Sequence, residues 1–317
     1  MTVCFKSIVR SALRSALLFL VILLPACSQE SAPPSGKLDV IATTTMVGDV
    51  VRSIGGENIA VSVLLPVGSD PHSFEPVPQD LARLADADLV FANGAGLEEF
   101  LSRIIANAGG TDRVISLSDG VELINHTEGS GDASAQEDHD HAAGDPHVWT
   151  DPKNVSLWAE RIVEALSELD PENAATYRLN AAEYQQQLAE LDGWIEAQVV
   201  QIPPRQRKLV TDHETFNYFA RRYGFETVGA VIPGFSTLTE PSAQELAALE
   251  DAIRSLGVKA IFLDSTVNPA LAERVARDTG THLVQVYSGS VSEAGGEAGS
   301  YLDYMRYNTN AIVSALR

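Results

Sequence analysis

Cysteine is nearly absent from this sequence, which has only Cys4 and Cys27 among its 317 residues. Both precede the first segment that has the pattern of a folded domain. Beyond residue 27 the chain therefore has no disulfide and no thiolate that could bind a metal. Any metal site in the body of the protein must use histidine, aspartate or glutamate as ligands.

Basic residues are also scarce, because 22 Lys and Arg stand against 43 Asp and Glu, for a formal charge of −21. A body this acidic repels nucleic acid and anionic lipid, and it attracts cations. We therefore expect no nucleic-acid partner. The charge would serve solubility equally well, so by itself it identifies no ligand.

No apolar run is long enough to cross a bilayer comfortably, which takes about 20 residues. The run that follows Lys6, Arg10 and Arg14 is about ten residues long and leads to the motif LPAC, which ends at Cys27. This pattern predicts a secretory signal peptide over residues 1–26 and a bacterial lipobox. Cys27 would then be lipidated and would anchor an exported protein to a bacterial membrane, in the periplasm or on the outer surface. Ordinary signal cleavage, which leaves a free thiol at Cys27, is the alternative.

Strand-like and helix-like segments alternate from residue 38 onward. Short apolar runs such as LDVIATTT and DLVFANG predict strands, and amphipathic runs such as PQDLARLADA predict helices. Ser242 and Glu245 predict a capping box at the start of a later helix. Strands separated by helices pair in parallel with right-handed crossovers, so the sequence predicts an α/β fold with doubly wound layers.

Two segments divide this alternation into lobes. Residues 125–144 are rich in Gly, Ser, Asp, Glu and His without apolar periodicity, which predicts a mobile loop. Residues 171–203 predict one rigid helix of about 30 residues, about 45 Å long. We therefore expect a flexible tether at 27–37, an N-terminal α/β lobe at 38–170, this linking helix, and a C-terminal α/β lobe at 204–317.

Three histidines lie where a predicted strand gives way to a loop or helix, and His147 is at the end of the predicted mobile loop. His72 lies in GSDPHSFEP, His147 in GDPHVWTDP and His213 in LVTDHETFNYF. A single histidine of this kind is more often a packing or surface residue. However, His72 and His147 share a preceding Asp-Pro pair, in which proline restricts the backbone just before the ring. Because strand ends of both lobes face the cleft between them, these imidazoles could converge on one point.

These motifs, together with the strand IFLDS and the C-terminal MRYN, resemble a known family. It comprises the metal-specific solute-binding lipoproteins of bacterial ABC importers for zinc and manganese, and the resemblance extends over residues 38–317. It implies two α/β lobes joined by one long rigid helix, with one divalent metal in the interlobe cleft. It also implies a monomer that delivers the metal to a permease driven by a cytoplasmic ATPase.

The resemblance also implies a ligand set. The family's histidine ligands map onto His72, His147 and His213, the last of which is Glu in many manganese-binding members. The family's fourth ligand, an aspartate, aligns with Gly289 and is missing here, so Asp264 at the end of KAIFLDS, or water, is the candidate replacement. Three imidazoles and one oxygen suit Zn²⁺, whereas Mn²⁺ favours carboxylate oxygen. We expect Zn²⁺ as the transported ligand, with Mn²⁺ as the alternative.

The loop at 125–144 contains His126, His139 and His141. Zinc importers of the family have a loop rich in His and acidic residues at this place. The resemblance therefore implies that these histidines capture metal weakly and pass it on. A plain solvated loop is the alternative.

Acidic residues near the predicted ligands are candidates to orient the imidazole rings. Glu75, Asp151 and Glu214 each lie within four residues of one of the three histidines. A carboxylate that accepts the second ring N–H of a metal-binding histidine is a common arrangement. Asp151 precedes a proline and could equally cap the next helix.

Two other functions stay open at this point. A zinc hydrolase would use three histidines and an open water position, but the sequence has no HExxH motif and no general base paired with a nucleophile. We therefore expect a binding protein and not an enzyme. A surface adhesin, the role suggested by older names within the family, would need an exposed apolar or aromatic patch.

Overall fold

The described part of the protein, taken from a computed structural model, comprises residues 36–101, 113–125 and 144–317. The predicted signal peptide, nearly all of the predicted tether and the loop histidines lie outside these residues. The assignments of Cys27 to lipidation and of His126, His139 and His141 to metal capture therefore stay predictions.

The first lobe is built on a parallel sheet that is covered on both faces. Its strands pair in the order β2-β1-β3-β4, and β3 is buried along its whole length, as expected for a strand with helices on both sides. The strands are β1 (Leu38–Ala42), β2 (Ile59–Val63), β3 (Leu89–Ala92) and β4 (Val114–Ser116), and the helices that connect them include Thr45–Gly55 and Pro78–Asp86.

The second lobe repeats this architecture. Its four strands are also parallel, in the order β6-β5-β7-β8. The predicted capping box is present at the helix that follows β6, where the Ser242 hydroxyl accepts from the Glu245 N–H at 3.2 Å and the Glu245 carboxylate accepts from the Ser242 N–H at 2.7 Å. The strands are β5 (Lys208–Thr211), β6 (Glu226–Ala230), β7 (Ala260–Asp264) and β8 (His282–Val286), and the helices are Asn217–Tyr223, Ala243–Leu256, Ala270–Thr279 and Tyr301–Leu316.

Two consecutive helices, Pro152–Leu169 and Ala174–Val199, lie between the two sheets in the sequence. The second has 26 residues, so it is about 39 Å long. It is shorter than the 171–203 segment predicted from the sequence, because residues 171–173 form a turn and the chain leaves the helix before Pro203. Its inner face buries a stripe with helical spacing along its whole length: Tyr177, Ala181, Tyr184, Leu188, Leu191, Ile195 and Val199.

One face of each sheet packs on a hydrophobic core that the two sheets share, and the opposite faces pack on two smaller, separate clusters. Phe91 of β3 and Phe262 of β7 belong to the same cluster of buried side chains, which also contains the stripe of the long helix. Trp149 and Tyr301 are fully buried within it. The described residues from Lys37 to Arg317 accordingly form one compact unit. None of the described helices is both long and apolar enough to span a bilayer.

Candidate metal centre

The structure brings His72, His147 and His213 together. His72 lies in the loop after β2, His147 precedes a short turn of 3-10 helix, and His213 follows β5. The Nε2 atom of His147 is 3.2 Å from the Nε2 atom of His72 and 3.2 Å from that of His213. Among the described residues, this is the only group of three or more His, Cys, Asp or Glu whose ligand atoms lie within 4.8 Å of one another.

These distances fit coordination of one small cation. Two nitrogens that each lie about 2.0–2.1 Å from a tetrahedral zinc ion are about 3.3 Å apart. Neutral imidazoles that turn their Nε2 lone pairs toward each other repel, and a shared cation removes that repulsion. The arrangement is therefore suited to binding a metal through three nitrogen ligands.

Burial and the neighbouring rings set the charge of the site. Burial lowers the pKa of His72 well below its ordinary value, and the charges of His147 and His213 lower it further. Burial, followed by the charge of His213, likewise lowers the pKa of His147. Burial is the largest influence on His213 and by itself would lower the pKa, but the carboxylates around the ring, with Asp212 foremost, together outweigh it, so this pKa is raised. His72 and His147 are thus kept in the neutral form that binds metals.

Asp145 orients the ring of His147. One carboxylate oxygen, Oδ1, lies 2.7 Å from the Nδ1 atom of His147 and also accepts from its backbone N–H at 2.9 Å. The other oxygen accepts from the Asn217 amide at 3.0 Å. A carboxylate behind Nδ1 holds the ring proton there and leaves the Nε2 lone pair free for a metal.

Asp212 lies near the ring of His213, with its Oδ2 atom 3.4 Å from Nδ1, but unlike Asp145 it makes no hydrogen bond to that nitrogen. Neither Asp145 nor Asp212 is among the acidic residues predicted above to orient an imidazole. The signal was nevertheless present, because an aspartate directly precedes His213 and another lies two residues before His147.

The acidic residues that were singled out have other contacts. Glu75 is exposed. Asp151 caps the helix that starts at Pro152, since its side chain accepts from the Lys153 N–H at 2.9 Å. The Glu214 carboxylate accepts from the Gly234 N–H at 3.3 Å. The capping role considered for Asp151 is thus the one that the structure shows.

Asp264 is buried at the end of β7 and is not a member of the histidine group. One carboxylate oxygen accepts from the Ser288 N–H at 2.9 Å and lies 3.4 Å from the Ser265 hydroxyl. The other accepts from the Gly289 N–H at 3.1 Å and from the Thr266 hydroxyl. These four bonds use all the acceptor positions of a carboxylate. Asp264 therefore anchors the segment after β8, and its role as the fourth ligand stays a prediction.

Gly289 lies against the loop that carries His72. A Cβ atom at this position would be 2.8 Å from the Pro71 Cδ atom and 3.5 Å from the nearer carboxylate oxygen of Asp264. The space that a side chain at position 289 would enter is therefore filled by Pro71. The close approach of the two loops at this point requires glycine.

Comparison with known proteins identifies the family. The model of the family described as "Zinc-uptake complex component A periplasmic" (ZnuA) matches residues 40–315. The chain belongs to this family. The ZnuA match spans both lobes and all three histidines of the candidate centre.

The names of proteins similar to this chain mention different metals. The chain is 35% identical over 280 residues to the manganese-binding lipoprotein MntA of Halalkalibacterium halodurans, with 88% of each chain covered. Among solved structures, the periplasmic zinc-binding protein TroA of Treponema pallidum has a TM-score of 0.79 and 29% identity, with 89% of this chain and 99% of that chain covered. A cadmium-bound periplasmic metal-binding protein of Candidatus Liberibacter asiaticus has a TM-score of 0.76 and 27% identity, with 89% and 100% covered.

The family defines the general function. This member of the ZnuA family is the extracytoplasmic, metal-binding component of an ABC importer, and it is not an enzyme. Its partners are accordingly the permease and the ATPase of that importer. The predictions of the family, of two parallel α/β lobes and of a binding protein are confirmed.

Proposed function

We propose that this protein captures Zn²⁺ outside the cytoplasmic membrane and delivers it to its permease, with His72, His147 and His213 as ligands. The observation that carries this proposal is the convergence of three imidazoles, in which the His147 Nε2 atom lies 3.2 Å from that of each of the other two and no carboxylate belongs to the group. Zn²⁺ accepts nitrogen ligands readily, and three histidines with one further oxygen is a known zinc arrangement. Water, or Asp264 after release of its hydrogen bonds, would supply the fourth ligand.

Manganese is the second candidate, favoured by the name of the 35% identical relative MntA. Mn²⁺ prefers carboxylate, carbonyl and water ligands, so this cargo would require Asp264 to leave its four hydrogen bonds. A nitrogen-rich site binds zinc more tightly than manganese by the ordinary order of affinities. Manganese transport would therefore depend on metal supply as well as on the site.

A competition titration tests the choice between these metals. Protein expressed from Ser28 and stripped of metal is titrated with Zn²⁺ and with Mn²⁺, and stoichiometry and affinity are measured. One tight zinc equivalent with far weaker manganese binding is the expected result. Comparable or preferred manganese binding would contradict the zinc proposal. The matched control is His282→Ala, which removes an exposed histidine at the start of β8 and should bind zinc like the wild type.

The N-terminal segment has a part in this proposal. Residues 1–26 would direct export, and lipidation of Cys27 would anchor a monomeric protein to the membrane. Membrane fractionation of a Cys27→Ala variant tests the anchor, since loss of lipid should release the protein.

In the loop at 125–144, His126, His139 and His141 would capture zinc weakly and pass it to the buried site. Normal growth of a deletion strain in zinc-depleted medium, without another zinc importer, would favour an adhesin instead.

A further inference from the structure

Two hydrogen bonds join the His72 loop to the second lobe. The Thr237 hydroxyl donates to the Oδ2 atom of Asp70 at 2.6 Å, and the Gly68 N–H donates to the Ser290 hydroxyl at 2.9 Å. Thr237 lies between β6 and the helix Ala243–Leu256, and Ser290 follows β8. The two lobes therefore contact each other directly beside the candidate metal centre.

Asp70 contacts His72 as well as the opposite lobe. Its Oδ1 atom accepts from the backbone N–H of His72 at 3.0 Å, while its Oδ2 atom accepts from Thr237 and from the Ser73 hydroxyl at 3.0 Å. Hydrogen bonds to an ionised carboxylate are shorter and stronger than those between neutral groups. One carboxylate thus links the backbone of a proposed ligand to the other lobe.

The segment that contains Thr237 is also bonded to the neighbours of His213. The Ile232 N–H donates to the Asp212 carbonyl at 2.7 Å, and the Glu214 N–H donates to the Gly234 carbonyl at 3.0 Å. A continuous series of contacts therefore leads from His72 through Asp70 and Thr237 to the residues on either side of His213. Asp70 and Thr237 thus connect the segments that carry two of the three imidazoles.

We propose that the hydrogen bond between Asp70 and Thr237 is a latch between the lobes, which holds His72 in position and sets the rate at which metal leaves the site. Asp70 and Thr237 are positioning residues in this account, and the role in metal release rests on the proposed function. Both residues are half-buried, so the bond can open while the shared core stays packed. By contrast, His147 is held within that core.

The test uses the Thr237→Val variant, which removes the hydroxyl and keeps the shape. Zn²⁺ dissociation, followed by transfer to an excess of chelator, should become about tenfold faster, the effect of losing one hydrogen bond to a charged group. The association rate should be unchanged. The conservative variant Thr237→Ser should restore slow dissociation. The control is Thr281→Val, which removes a half-buried hydroxyl that accepts only from Thr279 within the second lobe.

Hydrogen exchange of the metal-free protein gives a readout that requires no metal. The amides of Gly68 and His72 should exchange faster in Thr237→Val than in the wild type, Thr237→Ser or Thr281→Val, with an unchanged melting temperature. Equal exchange in all four proteins, or unchanged zinc dissociation in Thr237→Val, would overturn the latch. If the wild type binds neither Zn²⁺ nor Mn²⁺, the proposed function fails, and the exchange result alone then decides whether the latch exists.

Discussion

His72 and His147 follow the same dipeptide, Asp-Pro, in different surroundings. In both segments the aspartate Oδ1 atom accepts from the histidine N–H, at 3.0 Å from Asp70 and at 2.9 Å from Asp145. The tripeptide Asp-Pro-His therefore forms the same local hydrogen bond twice. Only Asp145 also contacts the imidazole Nδ1 atom of its histidine, at 2.7 Å.

The surroundings decide what the second carboxylate oxygen does. The Oδ2 atom of Asp145 is buried and accepts from the Asn217 amide. The backbone carbonyl of Asp145 is fixed as well, since it accepts from the Tyr218 hydroxyl at 2.6 Å. The Oδ2 atom of Asp70 is half-buried and accepts from Ser73 and Thr237. One aspartate fixes the orientation of a ring, whereas the other links two lobes. For the proposed ligands, this contrast supports a stationary His147 and a displaceable His72.

The largest expected effect is on metal binding by His147→Ala. Zinc sites with four protein ligands bind zinc with a free energy of about 10–16 kcal/mol, or roughly 3 kcal/mol for each ligand. Loss of one ligand should therefore lower zinc affinity by at least about 100-fold. His72→Ala should lower zinc affinity by a similar factor. The two variants should differ in stability, since His147 is 1% exposed and packs against Trp149, whereas His72 is only partly buried. Zinc titration and thermal unfolding check both points, and equal melting temperatures would contradict the distinction.

The next effect separates the two aspartates. Asp145→Asn should lower zinc affinity by about 10–100-fold, as is typical when the partner of a metal-binding histidine is changed. The introduced asparagine side chain has two orientations. In one its uncharged amide oxygen accepts the Nδ1 proton more weakly than a carboxylate does, and in the other its N–H group faces the ring N–H and repels it. Asp70→Asn keeps an acceptor for the His72 N–H and should lower equilibrium affinity less. Titration of both variants checks the order, and a larger loss in Asp70→Asn would reverse the assignment.

A smaller effect is expected for Tyr218→Phe. This change removes the hydroxyl that donates to Asp145 and accepts from the Ile124 N–H at 3.1 Å. The free energy of unfolding should fall by about 1–2 kcal/mol, because two backbone groups lose a partner. Chemical denaturation measures this value. Tyr307→Phe, at a partly buried tyrosine on the last helix, is the control, and an equal loss there would show that the Tyr218 bonds contribute little.

The smallest effect is expected for Ser73→Ala. Its hydroxyl donates to Asp70 at an exposed position, where water can replace it. Stability should change by less than about 0.5 kcal/mol, the usual range for surface substitutions. Zinc dissociation should stay as in the wild type. Faster zinc dissociation in Ser73→Ala would show that Asp70 holds His72 in position only when all of its hydrogen bonds are present.

The parts of the fold that were predictable depend on local patterns. Buried strands followed by helices gave the two parallel sheets, and the spacing of Ser242 and Glu245 gave the capping box. The convergence of the three histidines was predicted because strand ends meet in a cleft of this architecture, whereas their role as ligands was implied by the family resemblance and stays a prediction. The long helix was predicted too long at both ends, since residues 171–173 turn before it starts and the chain turns again after Val199.

The supporting residues were less predictable, because their roles depend on side-chain direction. Asp145, Asp212 and Asp151 all lie near a histidine in the sequence, but only the first two lie behind an imidazole. Asp151 turns instead to the start of a helix. The partner of Asp70 is 167 residues away in the sequence, and no local pattern indicates such a contact.

The core shared by the two sheets has a consequence for how the protein unfolds. Since Phe91, Phe262 and the long helix belong to one large cluster, a lobe that lost the other would keep only the smaller cluster on the far face of its own sheet. We expect a single cooperative melting transition for residues 37–317, without a stage in which one lobe is folded alone. A chain cut at the long helix should yield two fragments that aggregate or are degraded, although each contains a complete four-stranded sheet.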